Sequence, residues 1–213
     1  MIPVKKQPPP ADFVEKVVRP GRKFLAECSQ PHTRDWKSHA YWTKIEGELY
    51  RAYNGICAYS CLWIPRVTGG RTVEHFKPKS RYPDEAYNWD NYRLVCSRLN
   101  GRKSNYEDVL DPFTLQDGWF VIDFASLMIF PADHLSKKEA SQVDRTINTR
   151  LKLNDDECID SRKDWLSDYL VGEISFAHIE KRAPFIACEL KRQELTERTH
   201  PMWAAYQKQK KPK

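Results

Sequence analysis

Apolar and polar positions divide the chain into short elements. Residues 1–10, MIPVKKQPPP, are proline-rich and basic and read as an extended arm. Ala11–Val18 has a helical pattern that Arg19-Pro20-Gly21 is expected to cut, and a second short helix runs towards Cys28. After a loop over Ser29–Arg34, apolar Tyr41, Ile45, Leu49 and Ala52 recur at helical spacing. With Asp35 as N-cap and Asn54-Gly55 as stop, they predict one long helix from Asp35 to Tyr53. A Thr68-Gly69-Gly70 turn leads to a strand-like run, Thr72-Val73-Glu74-His75. A basic, proline-punctuated loop then reaches Asn91 and the apolar run Tyr92–Val95.

Beyond Asp111-Pro112-Phe113, the segments Trp119–Phe124 and Leu127–Phe130 alternate as a hairpin turning at Ala125-Ser126. Ser136 and Glu139 form a capping box, and Ala140, Val143, Ile147 and Leu151 mark one face of the helix that follows. Asn154-Asp155 ends it and caps another, with Cys158, Ile159, Leu166, Tyr169 and Leu170 inward and Gly172 as its end. Pro184 suits the first turn of a last helix. There is no internal repeat. The pattern predicts an α+β fold, mostly helical, with a small hairpin-and-helix centre, a helical shell and an extra β-hairpin. Four regions are expected: an arm with short helices (1–34), a core with its preceding helix (35–112), a hairpin and helical region (113–207) and a basic, disordered tail (208–213).

Composition adds little to the fold and more to the partner. The 213 residues are 40% hydrophobic and 30% charged, a soluble globular balance. No apolar run approaches the ~20 residues of a membrane span, and no apolar h-region opens the chain, so a cytoplasmic protein is expected. A net charge of +6 suits an anionic partner such as nucleic acid. Cys28, Cys57, Cys61, Cys96, Cys158 and Cys188 are expected to be reduced or metal-bound rather than disulfide-linked.

The chemistry concentrates in Val73–Asn105. Hydrolysis of a phosphodiester needs an activated water, charge stabilisation and a grip on the backbone. His75 suits the general base, since imidazole titrates near neutrality. Glu74 cannot share its strand face, yet at a strand end both can reach one centre. The Glu74 carboxylate and the Asn100 amide oxygen suit a hard cation, Mg²⁺ or Mn²⁺. Asn91 either holds the imidazole or caps the loop, and Asn100 has a competing use as a helix cap. Lys77, Lys79, Arg81, Arg102 and Lys103 are candidate phosphate contacts, with a solvated face as the plainer reading. Trp42, with Trp36, Trp165 and Trp203, reads as a core or interface side chain.

These segments resemble the HNH endonuclease family, whose motif folds as a ββα-metal finger. Val73-Glu74-His75-Phe76-Lys77-Pro78 is similar to its first segment, Asp90–Cys96 to its middle one with the motif Asn at 91, and Cys96-x-x-Leu99-Asn100-x-x-Lys103 to its last. The resemblance implies one divalent metal, His75 as general base, Glu74 and Asn100 on the metal side, and Asn91 fixing base or loop. EHFKPKSRYP, NWDNYRLVC, the LDPF segment and the hairpin also resemble the HNH subunits of Septu and retron-associated phage-defence systems. That implies an ABC/SMC-like ATPase partner and DNA as substrate. Many such fingers carry structural zinc on two Cys-x-x-Cys pairs. Here Cys57 and Cys61 are one residue further apart and Leu99 replaces the mate of Cys96, so four-thiolate zinc is not expected and Cys57, Cys61 and Cys96 are at most a degenerate zinc site. The broken pairs also motivate a rival reading, a catalytically silent DNA-binding or regulatory subunit of the same shape.

Overall fold

The computed structural model describes residues 1–204; the basic tail expected at 208–213 lies outside them. The fold is α+β and mostly helical, with two small antiparallel sheets. Among the described residues no helix is long and apolar enough to cross a membrane. The chain forms two compact units. One holds Pro3–Tyr59 and Trp63–Leu115; the other holds Met1–Ile2, Ser60–Leu62 and, of the described residues, 116–204.

The first unit opens with a π-helical turn, Val14–Val18, that runs straight into α1, Arg19–Glu27. Pro20 therefore does not cut the helix. It sits in the first turn of α1, where its missing N–H widens the hydrogen-bond ladder instead of breaking it. Gly21 is required: a Cβ there would lie 2.3 Å from the Tyr87 ring.

The long helix expected over Asp35–Tyr53 is three pieces: α2, Thr33–Ser38; a 3₁₀ turn, Tyr41–Ile45; and α3, Glu46–Ala52. Its first cap is His32, and Asp35 reaches back to accept from the His32 N–H at 2.8 Å. The break has a tertiary cause. Tyr87 donates its hydroxyl to the His39 carbonyl, an acceptor that a continuous helix would need, and the His39 ring stacks on Phe24 at 3.7 Å. An aromatic cluster of Phe24, Trp36, Trp42 and Tyr87 fills the bend.

Strand β1, Arg71–His75, pairs antiparallel with β2, Tyr92–Cys96, and α4, Ser97–Lys103, follows at once. This is a ββα hairpin-and-helix, with Val73 opposite Leu94 and His75 opposite Tyr92. Tyr59, Tyr92, Leu94, Val95 and Leu99 form its core. Ala58 N–H donates to the Leu94 carbonyl, tying the segment after α3 to the strand.

The second unit carries the expected hairpin, β3 (Phe120–Ile122) and β4 (Ile129–Pro131), whose turn is capped by Asp123 accepting from Ala125 and Ser126. Helix α5 (Lys137–Asp144) begins at the expected Ser136/Glu139 box, and α6 (Asp156–Leu170) at Asp155. A helix not foreseen, α7 (Phe176–Arg182), precedes α8 (Pro184–Arg192), which starts at Pro184. Two buried charges serve the backbone here. Arg162 donates to the Leu127 and Leu153 carbonyls, and Glu189 accepts from the Ile122 N–H.

Candidate active site

A cleft of about 300 Å³ opens on the finger, lined by Trp42, Glu46, Arg71, Glu74, His75, Lys79 and Asn100 among others. Consecutive strand residues point to opposite faces. Glu74 and His75 nevertheless both line this cleft, because β1 ends at His75.

His75 is held by one hydrogen bond, from its ring Nε2 to the Ala86 carbonyl at 3.0 Å. A carbonyl only accepts, so Nε2 carries the proton and Nδ1 keeps a lone pair. The same carbonyl accepts from the Tyr92 hydroxyl at 2.7 Å, and the imidazole sits edge-on between Trp42 and Tyr92. Burial first, and then the nearby Lys79 charge, pull the His75 pKa down to about 3, against the opposing bond to Ala86. The imidazole is therefore neutral, and Nδ1 unprotonated, throughout the neutral range.

This shift has a stability consequence with a definite sign. The unfolded imidazole binds a proton below about pH 6.5 and the folded one only near pH 3, so stability is complete above 6.5 and drains away as pH falls through that window. The loss reaches about 2 kcal/mol by roughly pH 5. Glu74, whose pKa is raised by burial, acts in the opposite sense, losing stability as pH rises. Urea unfolding at about pH 7.5 and pH 5 should show wild type losing about 2 kcal/mol more than His75→Gln between the two conditions. Equal losses would contradict the buried neutral imidazole.

Glu74 is fully buried, and each of its oxygens has a donor: Lys103 Nζ at 2.8 Å on Oε1 and the Tyr59 hydroxyl at 3.1 Å on Oε2. Desolvation outweighs both donors and raises its pKa. Lys103 also donates to the His75 carbonyl at 3.0 Å and to the Phe76 carbonyl. The expectation of a phosphate contact at Lys103 is thus corrected. With no exposed surface, its ammonium instead locks the end of β1 onto α4.

The orientation of Asn100 follows from a chain of donors. The Thr72 hydroxyl donates to the Val95 carbonyl, so Oγ1 is left to accept from Asn100 Nδ2 at 2.9 Å. Asn100 Oδ1 is thereby the oxygen offered on the cleft-lining side chain. The Asn91 side chain makes no hydrogen bond to the His75 ring, whose partner is the Ala86 carbonyl. Its Oδ1 accepts from the Lys77 N–H at 2.7 Å, and its Nδ2 donates to the Lys77 and Glu85 carbonyls, closing the loop between the strands. Of the two roles weighed for it, the loop cap is the one in place.

Two carboxylate or amide oxygens suit a hard divalent cation, which takes few protein ligands and completes its shell with water and phosphate. An ionised carboxylate has about four lone-pair sites, so the donors on Glu74 leave capacity for such an ion. Among the described residues no group of three or more His, Cys, Asp or Glu is placed to hold a metal. The Cys57 and Cys96 sulfurs lie 4.0 Å apart.

The remaining expected cations differ in setting. Lys77 pairs with Glu85 at 2.6 Å and Arg81 with Glu107 at 3.0 Å, both on the surface; Arg102 is half-buried on α4; Lys79 lines the cleft. One buried staple escaped the sequence reading. Arg93 makes a bidentate pair with Asp111 at 2.9 and 2.7 Å and lies 3.6 Å over the Phe113 ring. Its signal was a charge inside an otherwise apolar strand. Tyr59 and Trp42 were also missed as neighbours of Glu74 and His75.

No family model matches the chain. Over 114 residues it is 26% identical to the Septu protein PtuB of Bacillus thuringiensis. The match takes in 53% of this chain and 40% of that protein, so the chain spans less than half the length of this relative.

Proposed function

We propose that the chain is a metal-dependent HNH endonuclease that hydrolyses DNA phosphodiester bonds, the nuclease component of a Septu-like anti-phage complex gated by a partner ATPase. The observation that carries the nuclease reading is a neutral His75, its Nδ1 lone pair retained, on one cleft with Glu74 and Asn100 Oδ1. The similarity to PtuB supports the defence setting, and the ATPase rests on the resemblance of the EHFKPKSRYP and NWDNYRLVC segments. Such an enzyme acts in the cytoplasm.

In this reading a water beside Nδ1 attacks phosphorus as its proton passes to the imidazole. The new P–O bond forms as the bond to the leaving oxygen breaks, and that oxygen departs as an alcohol after taking a proton from solvent. The Ala86 carbonyl holds Nε2–H through the step and steadies the imidazolium. Glu74 and Asn100 would hold Mg²⁺ or Mn²⁺, which when bound supplies charge neutralisation at the leaving oxygen. Asn91 and Lys103 keep loop and strand end in register, so base and oxygen donors stay at fixed spacing.

The test is plasmid cleavage in Mg²⁺ or Mn²⁺, with and without chelator, by the chain alone and by the complex co-purified with the products of adjacent genes. Chelator-sensitive cutting supports the reading, and cutting by the complex alone supports the gate. No cutting in either preparation contradicts both and favours the silent DNA-binding alternative.

A further inference from the structure

The charges lining the cleft are balanced, with one exception. Glu46 pairs with Arg71, and Glu74 with Lys103. Lys79 is half-buried, and among the described residues no carboxylate pairs with it. Its ammonium lies instead over the Trp42 indole, 5.3 Å from the ring centroid. The same indole meets the His75 imidazole edge-on at 4.6 Å and 86°. Trp36 and Tyr87 pack against Trp42 at 6.1 and 6.0 Å, so the ring is wedged from behind.

A cation–π contact holds an ammonium in place without neutralising it, whereas an ion pair does both. The Glu74 charge favours the Lys79 ammonium without pairing with it, and Lys103 opposes it, so burial still disfavours the cation; an anion entering beside it relieves that cost. Burial depresses the Lys79 pKa, and Lys79 in turn depresses that of His75, so the two groups lie within electrostatic reach.

We infer that Lys79 and Trp42 form the phosphate anchor of the cleft. The Lys79 ammonium takes a non-bridging oxygen of the phosphodiester that enters beside His75. Trp42 is a positioning residue that sets the distance from ammonium to imidazole. This deepens the nuclease reading and rests on it, since it names the side chain that holds the reacting phosphate. It also separates Lys79 from Lys77 and Arg81, whose surface ion pairs leave them able to contribute only diffuse attraction.

The experiment measures binding of a short fluorescein-labelled single-stranded oligonucleotide to the full chain by anisotropy, in chelator, across a salt series. Binding in chelator requires no turnover and no partner. Lys79→Met is expected to weaken binding about tenfold at near-physiological salt and to lower the salt slope by about 0.7. Trp42→Leu should reproduce most of that loss, Trp42→Phe should restore it, and the double variant should be no weaker than Lys79→Met alone. Lys79→Met lies on a half-exposed side chain, so its result stands even where Trp42→Leu fails to fold. Wild-type affinity in Lys79→Met overturns the anchor. Additive losses in the double variant overturn the role of Trp42. Binding by wild type with no effect of Lys79 leaves the nucleic-acid reading intact, whereas no binding by wild type, either alone or in the co-purified complex, overturns that reading and the anchor together.

Discussion

Replacing His75 with alanine is expected to lower kcat for phosphodiester cleavage by about 10²–10⁴, the usual contribution of a positioned general base. KM should stay within about threefold, because the imidazole acts on the water rather than on the bound strand. The size of the effect follows from the surroundings of His75. The Ala86 carbonyl fixes the tautomer, Trp42 and Tyr92 fix the ring, and among the described residues no other imidazole lines the cleft. Steady-state kinetics on a labelled oligonucleotide separate the two constants. A large rise in KM with kcat preserved would instead make His75 a binding residue.

Replacing Lys103 with methionine is expected to cost about 3–5 kcal/mol, the range for removing one partner of a buried ion pair. Glu74 would remain buried without its cation, and the His75 and Phe76 carbonyls would lose a shared donor. Burial already disfavours the Glu74 carboxylate with Lys103 present, which shows how much depends on that ammonium. The double variant Glu74→Gln/Lys103→Met should recover part of the loss, because no carboxylate is then stranded. Urea denaturation followed by tryptophan fluorescence gives both numbers. A loss below about 1 kcal/mol in the single variant would mean that Lys103 reaches solvent, against the packing seen at β1 and α4.

Much of the finger was legible because its signals are local. The strand-like run Thr72–His75 and the apolar run Tyr92–Val95 need no distant partner to be read, and the helix Ser97–Lys103 followed from the resemblance to a ββα finger. The hairpin turn at Ala125-Ser126 and the Ser136 box were legible for the same reason. The misreadings were tertiary. Nothing in the spacing of Tyr41, Ile45 and Leu49 reveals that Tyr87 will take the His39 carbonyl and break the helix. Residue type alone does not reveal that Lys103 lies inward while Lys79 lies on the cleft. The two roles left open for Asn91 were separated only by its bonds to Lys77 and Glu85. Trp42 joins the cleft from a turn that precedes β1 in the chain, so its contact with His75 is visible only in three dimensions.

The most direct test of the central claim is the conversion of supercoiled plasmid in Mn²⁺ by the complex carrying wild-type chain, beside the complex carrying His75→Ala. Circular dichroism of the two chains shows whether the fold is shared. The account predicts cutting by wild type that chelator stops, and a fall of at least about 100-fold in the variant. Equal cutting by the two proteins would contradict it.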